Sequence, residues 1–455
     1  MLGNVVSGLG RSRPWRMMAL RFSAIGQSNT VRTIAVFATG NTVAMLLGVV
    51  GSLVQARYLA PEELGVFRTF GILAGYLTFL HMGVFDGLQR EIPLQLGRGS
   101  RAKAEQAASA CLAWIVFISV ACGAVFLGLA LRAAHYRDWM QVGGWLAYSP
   151  SIVATFYGLY LGTTFRTSQQ FIALSRISVT QAVAGTLVLP LLPIMGYYGA
   201  CLRLAVTSVT NVLLLHGWRP LNVRPRLDWP SFREVVRMGL PLSGVGYIYT
   251  SLWVSLESTF VLEWFGIKML GLYSMAIFVR TMVVQLAQNM NQVMGVKIYD
   301  QFGRSGRVED CVRLIFKPMA FAFLASLPLA LVGWFALPWA VSLLIPRYVG
   351  AVSLMQMALL TMPITFLSLP VTILWATGRR IDCFVSVVWG FMTFAGLSFL
   401  VYRLGLGAFG VLVASLLGQA INVLVSYLLI RRLVLRERRL STDERPLNCS
   451  VHAHP

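Results

Sequence analysis

The sequence predicts an all-α membrane protein of about twelve transmembrane helices, arranged as two parallel-repeat six-helix bundles. Three observations lead there. Of 455 residues, 57% are hydrophobic and 12% charged, where a soluble chain carries about 25% charged residues. Apolar runs of roughly 20 residues, enough to cross about 30 Å of hydrocarbon, recur along the whole chain. A shift of 206 positions also lays part of the second half on the first.

Residues 1–31 hold Arg11, Arg13, Arg16 and Arg21, with no acid before Glu62, and read as a basic cytoplasmic tail. No early stretch joins an apolar core to a small-residue cleavage site, so a removable signal is not expected. Six spans follow, at 34–55, 65–84, 107–131, 140–161, 177–194 and 196–217, forming an N-terminal bundle over 32–217. Pro190, Pro193 and Gly196-Tyr197-Tyr198-Gly199 divide the last two, because Pro and Gly punctuate helices. A basic amphipathic linker is expected over 218–237, where Arg219, Arg224, Arg226, Arg233 and Arg237 accompany Trp229 and Phe232. That composition suits an anionic leaflet, although positive-inside topology explains it equally well. The C-terminal bundle, 238–430, has spans at 239–262, 269–291, 314–336, 349–375, 382–402 and 406–430, and a basic tail fills 431–455.

The formal charge of +21 does not indicate a nucleic-acid binder, because no hydrophilic domain concentrates it. The 38 Lys and Arg residues gather instead in the two tails and in alternate loops, above all 90–104, 218–237 and 297–317. By the positive-inside rule those loops and both termini are cytoplasmic, as in a multi-pass protein of a bacterial inner membrane. The opposite loops are short. They leave no room for the external domain on which a membrane glycan polymerase or ligase would hold its catalytic residues.

The six cysteines are scattered, without a C-x-x-C pair, and support neither a disulfide framework nor a zinc site. His452 and His454 sit in the polar tail, and no metal is assigned. No G-x-x-x-x-G-K-[ST] loop is present, which argues against direct ATP use. Neither a cofactor nor enzymatic activity is expected.

The repeat superposes Leu59-Ala-Pro-Glu-Glu-Leu-Gly-Val-Phe67 on Phe265-Gly-Ile-Lys-Met-Leu-Gly-Leu-Tyr273. The same shift lays Gln95-Leu96-Gly97-Arg98 and Arg101 on Gln301-Phe302-Gly303-Arg304 and Arg307. It spans six predicted helices, an even number, so both halves cross in the same sense about an axis along the membrane normal. Transporters of that plan hold substrate between the halves and alternate access by rocking.

Four segments, in order, carry a resemblance. They are Ala56-Arg-Tyr-Leu-Ala-Pro-Glu-Glu-Leu-Gly65-Val-Phe, Phe232-Arg-Glu-Val-Val-Arg-Met-Gly-Leu-Pro241-Leu, Leu270-Gly-Leu-Tyr-Ser-Met-Ala276 and Leu344-Ile-Pro-Arg-Tyr348. Together they resemble the polysaccharide-biosynthesis (O-antigen) flippases of the multidrug/oligosaccharidyl-lipid/polysaccharide (MOP) exporter superfamily. The departures are Ala60, where the family often has Gly, and Glu257, where it often has Asp. The resemblance implies a MATE-like fold and outward movement of an undecaprenyl-diphosphate-linked oligosaccharide. It also makes polysaccharide polymerase and chain-length machinery possible neighbours, besides the phospholipid bilayer. Cation-coupled multidrug efflux is the alternative within the superfamily.

Such a substrate needs a hydrated, partly cationic cavity. Charged residues inside a span cost roughly 2.5 to 3.5 kcal/mol each, so they tend to face an interior. Arg68, Arg203 and Arg280 are the candidates, since guanidinium suits a diphosphate. On the eighth span Arg280, Thr281, Gln285, Gln288, Asn289, Asn291 and Gln292 fall within one half of the helix at about 100° per residue. That stripe either lines a cavity or bonds to helices of its own bundle. Asn41 and Gln55 share a face of the first span with Gly48 and Ser52. Glu257 requires a partner, either an arginine such as Arg280 or a transported cation. Asp86 shares a face of the second span with Arg68. Arg68, Arg90 and Arg203 stand near span ends, where they line the cavity or reach headgroups.

Overall fold

The structure, a computed structural model, describes residues 36–37 and 39–443. The expected tail over 1–31 and the last residues from 444 lie outside that range, as do the side chains of Asn289 and Gln292. Helix follows helix, with no strand among the described residues. In chain order the helices are α1 (Thr39–Tyr58), α2 (Pro61–Leu96), α3 (Arg101–His135), α4 (Trp139–Thr167), α5 (Phe171–Met195) and α6 (Tyr197–Gly217). A segment at 218–228 leads to α7 (229–265), α8 (267–305), α9 (Val308–Leu344), α10 (346–376), α11 (Arg380–Arg403) and α12 (Gly407–Asp443). The end of the bundle bearing 218–228 is called here the linker end.

Among the described residues, ten helices are long and apolar enough to cross a membrane. One of them, Ser243–Gln288, joins the second part of α7 to the first part of α8, because Gly266 (φ 81, ψ 175) turns the chain back in a conformation only glycine adopts without strain. Side chains register the reversal. Arg280 and Glu257 would stand about 35 Å apart on a straight helix, yet their charges meet at 2.7 Å. α4 is a further 29-residue helix. The chain is a multi-pass membrane protein, and the outward faces show it: Phe321, Leu324, Phe335 and Trp339 of α9 are exposed, an apolar strip that water would not tolerate.

Several helices outrun their sequence-predicted spans at the linker end. α2 continues to Leu96, α4 to Thr167 and α8 to Ser305, so much of the expected 90–104 and 297–317 loops is helical. Hydropathy marks only the part immersed in hydrocarbon; the polar turns beyond it extend the same helices. The expected linker is also shorter. Asp228 caps α7 by accepting from the Ser231 amide at 3.3 Å, with Pro230 in the first turn, so 229–237 is already helix. The preceding residues are fastened across α3, where Ser109 Oγ donates to the Arg224 carbonyl and Gln106 Nε2 donates to Asp228 Oδ2 at 2.9 Å. α12 carries the basic tail onward as helix, and Glu309 at the start of α9 pairs with both Arg438 and Arg313, at 2.8 and 2.7 Å.

Each half has its own core. Leu88, Ile92, Ile115, Phe126, Phe156 and Phe165 pack in the first, and Phe70 meets Trp145 edge-on at 4.5 Å. In the second, Trp253 stacks on Phe394 at 5.1 Å. A third cluster crosses between halves at the end opposite the linker, joining Leu59 and Leu64 to Met275, Ile345 and Tyr348.

A candidate substrate chamber

A cavity of 1100 Å³ lies between the halves, larger than the roughly 300–1,000 Å³ of ordinary small-molecule sites. Asn41, Gly48 and Ser52 of α1, Gln89 of α2, Arg166 of α4 and Arg203 of α6 form one wall, and Phe278, Thr281, Gln285 and Gln288 of α8 the other. Gln89 also lines a second cavity of 820 Å³ toward the linker end, with Asp86 and Arg90 of α2, Ser243, Tyr247 and Thr250 of α7, Tyr299 of α8, Trp375 and Arg380. A side recess of 180 Å³ shares Ser52 and Phe278 with the main cavity and adds Gln55, Arg68 and Ser274. The three spaces form a stepped chamber.

Arg203 reaches the chamber because α1 is bare opposite it. A Cβ on Gly51 would lie 2.1 Å from an Arg203 Nη atom, so any other residue would displace the guanidinium. Its Nη1 donates to Gln55 Oε1 at 3.0 Å, while its Nε is buried without a partner. The acid of the smaller cavity, Asp86, has Arg166 of the larger one as its electrostatic partner.

Arg280 is elsewhere. Buried to 5% exposure, it turns into the C-terminal half, where Nη1 donates to both Glu257 oxygens at 2.9 and 2.7 Å and to Ser415 Oγ at 3.2 Å. Tyr273 donates its hydroxyl to the same carboxylate, and Trp253 Nε1 donates to Ser415 Oγ at 3.0 Å. Asn291 likewise bonds within its own half, accepting from Thr372 at 3.2 Å. The stripe on α8 thus divides. Taking Thr281 as the centre, Gln285 and Gln288 lie within about 40° of it, whereas Asn291 and Arg280 lie some 80 to 100° away on one edge. The middle faces the chamber and that edge faces the bundle.

Of the residues singled out from sequence, Asn41, Gln285, Gln288 and Arg203 line the main cavity, Gln55 and Arg68 the recess, and Asp86 the smaller cavity. Arg280, Glu257 and Asn291 are absent from all three linings, and the side chain of Asn289 lies outside the described residues. Arg166, Gln89, Tyr299, Trp375 and Arg380 are chamber residues that sequence reasoning passed over. For Gln89, Arg166, Tyr299 and Arg380 the signal was polarity just beyond the drawn spans, which end at 84, 161 and 291 or begin at 382; Trp375, apolar and inside the span 349–375, gave none.

No family model matches the chain, and neither does any curated protein. Solved structures do. An inward-facing multidrug-resistance MATE transporter of the MOP superfamily superposes with a TM-score of 0.73 over 89% of this chain and 99% of its own, at 14% identity. The chain has the MATE-like transporter fold. An outward-facing MATE transporter gives 0.62 over 90% of this chain and 96% of its own, at 15% identity. A MOP-superfamily transporter from Pyrococcus furiosus, described as having a binding pocket of reverse polarity, gives 0.66 over 89% of this chain and 96% of its own, at 14% identity.

Proposed function

We propose that this MATE-like chain moves an undecaprenyl-diphosphate-linked oligosaccharide from the inner to the outer leaflet of a bacterial inner membrane by alternating access. The observation that carries the reading is the chamber's charge. Arg166 and Arg203 line its largest part, Arg68 its recess, Arg90 and Arg380 its mouth, and Asp86 is the one carboxylate among the described lining residues. Arg203 Nε, buried without a partner, offers a donor that a diphosphate oxygen would satisfy. Glutamines and asparagines around it suit carbohydrate hydroxyls.

The extension of the chamber to the linker end, and the higher score against an inward-facing structure, support loading from the cytoplasm. Multidrug efflux is the second reading, favoured by the multidrug-resistance transporters among the neighbours. A cationic drug would want free carboxylates, whereas Glu257 is already held by Arg280.

The test is reconstitution in proteoliposomes with a fluorescent prenyl-diphosphate oligosaccharide and a leaflet-selective quencher. Outward movement by the wild type, lost in Arg203→Ala and Arg166→Ala, supports the reading. Movement at equal rates in all three, or transport of cationic dyes alone, removes it.

A further inference from the structure

We infer that the two copies of the repeated motif form the gate that closes the chamber opposite the linker end, and that Glu62 and Lys268 are its reversible latch. The inference rests on the transporter reading but not on the identity of the cargo.

The copies, 59–67 and 265–273, pack on each other. A Cβ on Gly65 would lie 2.0 Å from the Ile267 carbonyl oxygen, and a Cβ on Gly271 would lie 1.7 Å from the Pro61 carbonyl oxygen. The 206-residue shift carries Gly65 onto Gly271 and Pro61 onto Ile267. Each contact is therefore the image of the other, as across the two-fold axis of an isologous dimer. The duplicated segment has become a self-complementary interface inside one chain.

Residues facing each other across such an axis are their own images. Glu62 and Lys268 are such a pair, since 268 is 62 shifted by 206, and Lys268 Nζ stands 3.0 Å from Glu62 Oε1. A faithful repeat would put like charges there and force the copies apart. Divergence at this one position turns repulsion into attraction. Both side chains remain exposed, 69% for Lys268 and 48% for Glu62, so the bond forms and breaks without a large desolvation cost. At the two crossing points the copies meet as glycine on carbonyl, and the apolar cluster around them, Leu59 and Leu64 against Met275 and Tyr348, must part as well when the gate opens.

The position is that of a gate. Leu64 and Phe67 of the first copy and Ser274 and Met275, at or just beyond the end of the second, line the recess of the chamber, so its floor is the underside of the clasp. Tyr348 Oη and Arg347 Nη1, from the first turn of α10, donate to the carbonyls of Leu59 and Tyr58, each at 3.3 Å. Glu63 accepts from the Ala60 amide at 2.7 Å and holds the first copy in shape.

The experiment labels Ser274→Cys, in a background without native cysteines, with a membrane-impermeant thiol reagent applied from the Glu62 face. Glu62→Lys, which sets two lysines on the axis, should speed labelling about fivefold, and the exchanged pair Glu62→Lys/Lys268→Glu should return it to the starting rate. Equal rates in all three overturn the latch. In a second arm, Glu62→Cys/Lys268→Cys is cross-linked by a short bis-maleimide that spans both sites, and movement of any transported probe should stop; full activity in the linked protein makes the clasp a permanent joint and overturns the gate. The labelling arm contains no substrate, so it can succeed even if the oligosaccharide reading fails.

Discussion

Arg280 and Glu257 meet at 2.7 Å inside the C-terminal half, and the most conspicuous intramembrane charges of the sequence thereby neutralise each other away from the chamber. Tyr273, Ser415 and Trp253 complete the network. Removing one partner leaves a buried charge uncompensated, which costs about 3–5 kcal/mol. Arg280→Ala should therefore lower the unfolding midpoint in detergent and reduce the folded yield. The double variant Arg280→Met/Glu257→Met should recover most of that loss, since apolar residues of similar volume often replace a buried pair without penalty. If Arg280→Ala melts like the wild type but abolishes transport, the residue belongs to the substrate path after all.

Arg203 has the opposite profile. It is half-buried, shares one hydrogen bond with Gln55 at 3.0 Å and keeps a donor unused. Arg203→Ala should leave the unfolding midpoint within a few degrees while slowing translocation at least about tenfold, the scale of one charge-assisted hydrogen bond at roughly 1.5–3 kcal/mol. Arg203→Lys should recover only part of the rate, because an ammonium cannot reproduce the planar fork. Proteoliposome rates set against scanning calorimetry of the same preparations decide it.

The clasp glycines make a stability prediction separate from gating. At Gly271 a methyl group would overlap the Pro61 carbonyl oxygen, which is backbone and cannot swing aside. Gly271→Ala should destabilise the protein by about 1–3 kcal/mol, as overpacking does. Gly48→Ala, with nothing within 4 Å of the new atom, should not. Thermal unfolding of both variants is the measurement; equal midpoints would mean the halves do not press together here.

Particular residues show what the sequence revealed and what it concealed. The turn at Gly196, with φ 52, lies where Pro190, Pro193 and the Gly-Tyr-Tyr-Gly run punctuate the apolar stretch, because backbone chemistry is local. The repeat was visible for the same reason, although nothing in one strand of text says that two copies touch. Sequence left Arg280 two places, the cavity or a pairing with Glu257, because a helical stripe covering half the circumference has two edges, and only tertiary packing decides which edge turns inward; the structure shows the pairing. Arg166 was missed because average hydropathy falls before α4 ends. Chamber-lining residues near helix termini look like loop residues to any measure that sees transfer energy alone.

Asp228 offers a test of how the halves are joined. Its carboxylate caps α7 through the Ser231 amide and holds Gln106 of α3, and these bonds, led by the one with the Ser231 side chain, keep its pKa below the usual 3.8. A carboxyl whose folded pKa is depressed contributes stability that is fully present above its unfolded value and is lost as pH falls through the folded one. Asp228→Ala should thus lower the unfolding midpoint at pH 7, since the cap and the tie to α3 are both removed, and the gap from wild type should close as the pH drops below 3.8. Trypsin should also cut after Arg226 faster in the variant at neutral pH, because the strap over α3 loses its anchor. A midpoint difference that persists unchanged into strong acid would mean that the charge of Asp228 plays no part in holding the linker.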